Sequence, residues 1–372
     1  MKIAFLCTSY AWGGLEMNVI KLALGLKNAG IDISLYSEKG VIIAANAEKA
    51  GLDVIYISEH FKYFDFMSAK KLAVILKSSD VNSLFVFHGR DLDLASNVKL
   101  FNRNIKLIYQ QHMHVGRKKK DFFHNLRFSR FDYWICPLNN LADDVVTLTN
   151  FNPAKIRIIP LGVDIKRLDT HGKSKSECRE ILNLEKEKFT FGIIGRIDRQ
   201  KGQLNVLKAF NNLKNQFPDA KLYITGEKTI GEKDNYLNEI MEYISENNLS
   251  HKVTVSISAN NIATILGAID CFILASNSET YGMVTIESML AGVPVIASSL
   301  GGTSEILGHG QYGTLYLSGD ISGLTDAMTE MLTEYKYKIE IAAKAKDYAL
   351  QKFTAEIEID LILKLLDYKT IT

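Results

Sequence analysis

Proline is scarce in this chain, five residues in 372, and no low-complexity tract or internal repeat interrupts it. Apolar residues make up 47% and charged residues 23%, proportions that exclude disordered and collagen-like polymers. Cysteine is scarce too. Cys7, Cys136 and Cys271 lie in apolar runs and Cys178 stands among charged residues, so the four read as reduced thiols of a cytosolic protein and not as a disulfide or zinc framework. No apolar stretch approaches the roughly 18 residues that a membrane span requires. The opening Met1-Lys2-Ile3-Ala4-Phe5-Leu6-Cys7 is too short for the apolar core of a secretory signal. The expected location is cytoplasmic, with any membrane contact peripheral on the inner face. Net charge is also small: 44 basic against 42 acidic residues leave +2, which encodes no general attraction to nucleic acid. The balance is uneven along the chain. Residues through Asp164 carry 21 Lys+Arg against 15 Asp+Glu, and the remainder 23 against 27.

What is present is a repeated alternation of short apolar runs with helical patterns. In the first half the runs are Lys2 to Thr8, Asp32 to Tyr36, Ser83 to His88, Lys106 to Gln111 and Asp132 to Pro137, with a helical pattern from Met17 to Ala29. A second series runs through Phe189 to Ile194, Lys221 to Thr225, Val253 to Ile257, Cys271 to Ala275 and Val293 to Ala297. Strands alternating with helices predict an α/β chain with parallel sheets covered on both faces. At about 150 residues per domain the length predicts two such domains. The polar stretch Ile165 to Lys188 is the expected interdomain connection. The expected boundaries are 1–165 and 166–353, with a C-terminal helix, 354–372, crossing back to the first domain. Two open parallel sheets bind ligands beyond the carboxyl ends of their strands, so the chemistry is expected in a cleft between the domains.

The richest segment runs from Ser276 to Ala297. A polar loop follows a strand, Met283, Ile286, Met289 and Leu290 recur at helical spacing, and Gly292 with Pro294 ends the helix. Backbone N–H groups near Gly282 and Met283, together with the helix dipole, form an anion site suited to a phosphate. Glu279 precedes that helix start and Glu287 lies within the helix. Each can accept hydrogen bonds from hydroxyls on one side of the phosphate, as a sugar-diphosphate-ribose ligand requires. Arg196 and Lys201 follow the strand ending at Ile194, where a cation fork and a point charge can meet the charge that develops on a departing diphosphate. Gly13-Gly14, after the first strand, permits close approach of backbone donors to the same ligand.

These motifs resemble one family. Glu279-x7-Glu287 with Gly282, Ala291-Gly292-Val293-Pro294-Val295 and Gly301-Gly302 look like the signature of the retaining nucleotide-sugar glycosyltransferases of the GT-B fold, glycosyltransferase family 4, also termed group 1. Gly13-Gly14-Leu15-Glu16 is similar to the family's Gly-Gly-x-Glu loop, Ile159-Pro160-Leu161-Gly162-Val163-Asp164 to its hinge element, and Gly195-Arg196 with Lys201-Gly202 to its Gly-Arg…Lys-Gly pair. The resemblance implies two Rossmann-like domains, an acceptor-binding first and a donor-binding second. It implies transfer of a hexosyl unit from a nucleotide-diphosphate sugar to a saccharide or lipid-linked saccharide, in cell-surface polysaccharide or lipopolysaccharide synthesis. Catalytic roles are implied for Glu279, His112, Arg196 and Lys201, and donor contacts for Gly13, Gly14, Gly226, Tyr281, Gly282, Met283 and Glu287 as well. His112 ends an apolar strand where the family carries a His beside the transferred sugar, and His114 and His88 compete for that role. A UDP-linked donor is favoured over a GDP-linked one. Leu15 stands where the family has Ala, Leu161 where it has Asn, and Thr225-Gly226-Glu227 lacks the second Gly of the base-side loop. The chain is read as carrying no Asp-x-Asp metal motif, and neither a metal nor any other cofactor is expected.

Arg117 to Phe128 combines a basic cluster with Phe122, Phe123 and Leu126 at helical spacing. Two readings stand: a helix lying on an anionic membrane surface, or one packing those apolar residues on the first domain with its lysines in water. No nucleic-acid motif accompanies the cluster. Two alternatives to transfer are an epimerase or hydrolase acting on the same donor, and a nucleotide-sugar binding protein without turnover. A monomer or weak dimer is expected.

Overall fold

The computed structural model describes residues 1–227, 235–257 and 261–367. The chain divides into two compact units, Met1–Gly162 with the segment that starts at Ala355, and Val163–Thr354. Among the described residues the strands form two sheets, one in each unit.

The first unit holds β1 (Lys2–Leu6), β2 (Asp32–Glu38), β3 (Asp53–Ile57), β4 (Ser83–Val86), β5 (Lys106–Gln110), β6 (Tyr133–Cys136) and β7 (Ile156–Ile158), in the order β3-β2-β1-β4-β5-β6-β7. All its pairings are parallel. Because strand side chains alternate, Ala4 and Leu6 enter one core while Ile3, Phe5 and Cys7 enter the other. Both faces of β1 are therefore apolar, as a sheet sandwiched between helices requires. The second unit holds β8 (Thr190–Ile194), β9 (Lys221–Thr225), β10 (Val253–Ser256), β11 (Cys271–Leu274), β12 (Val295–Ser298) and β13 (Thr314–Tyr316), in the order β10-β9-β8-β11-β12-β13, again all parallel. Counted within each unit, the order is the same for the first six strands.

Three strands escape the sequence pattern, β3, β7 and β13, and all three are sheet edges. An edge strand has one hydrogen-bonding side without a neighbour and is only partly buried, so its apolar signal is diluted. None of the five residues of β3 is fully buried.

The stretch Ile165 to Lys188 departs from its expected role as a connection. It is folded into the second unit. Ser174 and Glu177 form a capping box on the helix Lys175–Ile181, and the buried Arg179 donates to Asp270 at 2.5 Å and to the Ala268 carbonyl at 2.9 Å. Most of its residues face solvent, which gives it the composition of a linker, while the capped helix and the buried Arg179 tie it to the second unit.

The C-terminal helix Ala355–Leu365 packs on the helix Gly14–Asn28, where Gly25 leaves room for Ile359: a Cβ there would stand 2.5 Å from Ile359 Cδ1. Glu358, 2% exposed, accepts from the Gly162 amide at 2.9 Å and Gln110 Nε2 at 3.0 Å, with Lys21 at 3.3 Å. A buried carboxylate with three such partners is compensated and holds the helix in place. The last residues of the expected segment 354–372, numbers 368–372, lie outside the described residues.

Candidate functional site

In the second unit the sequence motifs converge on the carboxyl ends of β8, β9 and β11. Gly195 follows β8 and its amide donates to the Thr225 carbonyl at 3.0 Å, while the Ile197 amide donates to Glu227 at 2.9 Å. The loop carrying Arg196 therefore runs against the loop carrying Gly226. Lys201 ends a short 3-10 turn and Gly202 starts the helix Gln203–Leu213. The Lys201 ammonium donates to Glu279 Oε2 at 2.8 Å, and the Ser276 hydroxyl donates to the same oxygen at 3.3 Å. A partly open pair of this kind adds only about 1 kcal/mol to stability. Its larger consequence is positional, because it fixes an ammonium and a carboxylate beside one helix start.

That helix start is Gly282, with φ 91°, followed by the helix Met283–Ala291. No side chain caps it, the condition under which first-turn amides are available to an anion. Two buried hydroxyls without hydrogen-bond partners, Thr285 Oγ1 and Thr303 Oγ1, stand 3.5 Å and 3.6 Å from the point a Gly282 Cβ would occupy. Neither threonine is among the residues the sequence points to, because a threonine in a helix or turn carries no mark of a buried, unpartnered hydroxyl. Gly301, at φ 68°, lets the backbone pass Glu279: a Cβ there would lie 1.8 Å from the Glu279 carbonyl oxygen, which accepts from the Gly302 amide at 3.1 Å. Thus Gly301-Gly302 shapes the loop that presents Glu279. Glu287 and Tyr281 are buried, 6% and 5% exposed, and Met283 is half-buried. Arg196 is exposed, with Asp198 at 3.9 Å from its guanidinium.

In the first unit Gly13 caps the helix Gly14–Asn28, whose first turn carries the buried Glu16. Leu15, one residue before Glu16, lines a cavity of about 550 Å³ together with His88, His112 and His114. Here the three competing histidines separate. His114 is exposed and bound to Asp144 at 2.6 Å. His112 Nε2 is enclosed and without a partner, 6.1 Å separating its ring from that of Phe87. Burial, and then the positive charge of Lys21, push the His112 pKa down to about 3, so the ring is neutral at physiological pH and can offer a hydrogen bond but not a charge. His88 Nδ1 is also enclosed without a partner.

Contrary to the sequence reading, one Asp-x-Asp spacing does occur, Asp91-Leu92-Asp93. Both carboxylates are engaged within the first unit. Asp91 accepts from the Thr8 amide at 3.0 Å and from its hydroxyl, and Asp93 accepts from Arg127 at 3.0 Å. Among the described residues no group of His, Cys, Asp and Glu side chains is arranged to hold a metal ion.

The helix Phe122–Ser129 forms as expected but packs through Arg127 and Phe128. Phe122 is 72% and Phe123 59% exposed, while Leu126, 42% exposed, and the Phe123 edge against Phe64 keep part of the helix's apolar face on the first unit.

The sequence model of Glycosyl transferases group 1 matches residues 174–351, and that of Glycosyltransferase Family 4 matches residues 12–167. The chain is 28% identical over 211 residues to D-inositol 3-phosphate glycosyltransferase of Paenarthrobacter aurescens, covering 56% of this chain and 50% of that protein. It is 28% identical over 200 residues to the UDP-Gal:alpha-D-GlcNAc-diphosphoundecaprenol alpha-1,3-galactosyltransferase of Escherichia coli, covering 53% of this chain and 50% of that protein. The match spans about half the length of these curated relatives. Among solved structures, HepE of Anabaena in complex with UDP superposes with a TM-score of 0.86 at 20% identity, covering 99% of this chain and all of that one. The lipopolysaccharide glycosyltransferase WaaG superposes at 0.67 and 15% identity, with 97% of this chain and 99% of that chain covered.

Proposed function

From the premise that the chain belongs to glycosyltransferase family 4, the group 1 glycosyl transferases of the GT-B fold, we propose that it is a retaining, metal-independent glycosyltransferase. It moves a hexosyl unit from a nucleotide-diphosphate sugar, UDP-linked in preference to GDP-linked, to a saccharide or lipid-linked saccharide in cell-surface polysaccharide or lipopolysaccharide synthesis. The observation that carries the reading is the Lys201–Glu279 pair beside the uncapped helix start at Gly282, with the partnerless Thr285 and Thr303 hydroxyls around it. The relative named for a UDP-Gal donor and an alpha-D-GlcNAc-diphosphoundecaprenol acceptor, and the neighbour solved with UDP, support the donor class.

The chemistry follows from the charges. Departure of a nucleoside diphosphate develops negative charge on its phosphates. The Gly282 and Met283 amides, Lys201 and the exposed Arg196 meet that charge as fixed donors whose orientation is set before the donor binds. Glu279, held by Lys201 and Ser276, accepts from hydroxyls of the transferred sugar, and Glu287 accepts from the ribose. Gly13-Gly14 brings backbone donors to the phosphates, and the neutral His112 accepts from or donates to the sugar through Nε2. The acceptor hydroxyl attacks from the face the diphosphate leaves, passing its proton to the departing phosphate, so the anomeric configuration is retained.

A second proposal concerns location. No helix among the described residues is long and apolar enough to cross a membrane. Phe122 and Phe123 are exposed beside Phe64, the Phe64–Phe123 ring centroids 5.7 Å apart, with Lys118 and Lys120 adjoining in sequence. Exposed aromatics rimmed by lysines suit peripheral contact with an anionic bilayer.

A thermal-stabilisation screen of UDP-, GDP- and ADP-sugars tests the donor. A true donor at about 100 times its dissociation constant adds about 2.7 kcal/mol to the folded state. Stabilisation by UDP-sugars and release of a glycoside with unchanged anomeric configuration are expected. Stabilisation by none of the three, or sugar released only to water, would refute the function.

A further inference from the structure

The cavity of the first unit has a charge pattern that the proposed donor chemistry does not use. Its wall carries Lys62, Arg117, Lys119 and Arg127, and no Asp or Glu lines it. The carboxylates nearest to it are already engaged: Asp93 with Arg127 at 3.0 Å, Asp144 with His114 at 2.6 Å and Asp121 with His124. Among the described residues no ion pair joins Lys62, Arg117 or Lys119 to a carboxylate. Arg127 is more than nine-tenths buried, 7% exposed, and its Nε is enclosed without a hydrogen-bond partner. The Lys119 ammonium is held below its ordinary pKa by burial first and then by the positive charges of Arg127, Arg117 and Lys62. Four cations around one concavity repel one another, and burying an unpaired guanidinium nitrogen is unfavourable unless a ligand supplies the missing acceptor.

We propose that this cavity binds a phosphate or diphosphate ester carried by the acceptor, an assignment that rests on the glycosyl-transfer function proposed above. A guanidinium fork with neighbouring ammonium groups is matched to phosphoryl oxygens. The same lining includes Phe87, Tyr109, Phe128 and Trp134, apolar surface that a neutral polyol alone would leave unmatched. Tyr63 and Arg127 also border a second hollow faced by Phe64 and Phe123, so the anion would sit beside the exposed aromatic patch.

Calorimetric titration of inorganic pyrophosphate into the UDP-saturated protein reads this cavity apart from the nucleotide site. One-to-one binding is expected, weakened about tenfold or more by Arg117→Ala with Lys119→Ala, on the scale of lost charge-assisted contacts, with UDP affinity unchanged. Arg117 is exposed and Lys119 only half-buried, so the variant should fold. Arg127→Lys keeps a charge opposite Asp93 but removes the fork, and it should weaken pyrophosphate as well. Two turnover arms separate the sources of the anion, a water-soluble hexose phosphate and a polyprenyl diphosphate sugar in detergent. A KM raised in the double variant for the first alone assigns a free sugar phosphate, and for the second alone a lipid-linked diphosphate. Pyrophosphate that fails to bind, that UDP displaces, or that binds the double variant as tightly as the wild type would overturn the assignment while UDP binding and transfer stand. Pyrophosphate binding without UDP binding or transfer would overturn the function and the acceptor assignment together.

Discussion

The two units share one strand order through six strands yet present different surfaces at the carboxyl edges of their sheets. In the second unit the edge is shaped by backbone: Gly282 opens a helix start, Gly301 lets the chain pass Glu279, and one fixed ion pair, Lys201–Glu279, stands beside them. In the first unit it is shaped by side chains, with lysines and arginines drawn from Lys62, from Arg117 and Lys119, and from a helix through Arg127. On the proposals above, one frame would hold an anion in two ways. Backbone amides suit a group that recurs in every donor, the diphosphate, whereas side chains can be exchanged to suit an acceptor without disturbing the sheet.

The largest effects should come from the donor side. Lys201→Ala is expected to lower kcat by about 10²- to 10³-fold, the scale of losing one donor to a developing oxyanion, and Arg196→Ala by about 10²-fold. Steady-state rates near normal in both would show that the leaving group is met elsewhere. A split between the glutamates comes next. Glu279→Gln should lower kcat with little loss of UDP affinity, and Glu287→Gln should raise the donor KM with little change in kcat. Parallel calorimetry and kinetics on the two variants decide it, and the reverse pattern would place the sugar and ribose the other way round along this helix.

How far the sequence shows these features follows the same division. Central strands such as β1 and β11 are buried on both faces and appear as apolar runs, while the edge strands β3, β7 and β13 are largely half-buried and do not, and only the edge strand β10 keeps enough apolar residues to show. The donor site is legible because glycines at fixed spacing leave a mark wherever backbone must approach backbone. Thr285 and Thr303 leave none, since a threonine in a helix or turn is ordinary until its hydroxyl is found buried and unpartnered. The cavity cations are spread from Lys62 to Arg127 and meet only in the fold. Arg117 to Phe128 shows its basic and aromatic content in the sequence, but not that Arg127 turns inward while Phe122 and Phe123 turn out.

A smaller effect concerns pH. The folded pKa of His112 lies near 3, below its ordinary 6.5, so the unfolded chain takes up a proton that the folded one refuses. The contribution of the neutral ring is complete above about pH 6.5 and is lost as pH falls toward about 3. Urea midpoints across that range should fall less steeply in His112→Asn than in the wild type, and identical slopes would mean that the ring is not held neutral. The smallest effect is expected at the surface. Phe122→Asp with Phe123→Asp should reduce sedimentation with anionic liposomes and leave UDP binding unchanged. A wild type that never sediments would end the membrane proposal.

The division between the two edges is tested most directly by titrating UDP into three proteins: wild type, Lys201→Ala, and the double variant Arg117→Ala with Lys119→Ala. A loss of UDP affinity of about tenfold or more in Lys201→Ala, consistent with one missing charge-assisted contact, beside wild-type affinity in the double variant, is the predicted result. Comparable losses in both, or a loss only in the double variant, would contradict it.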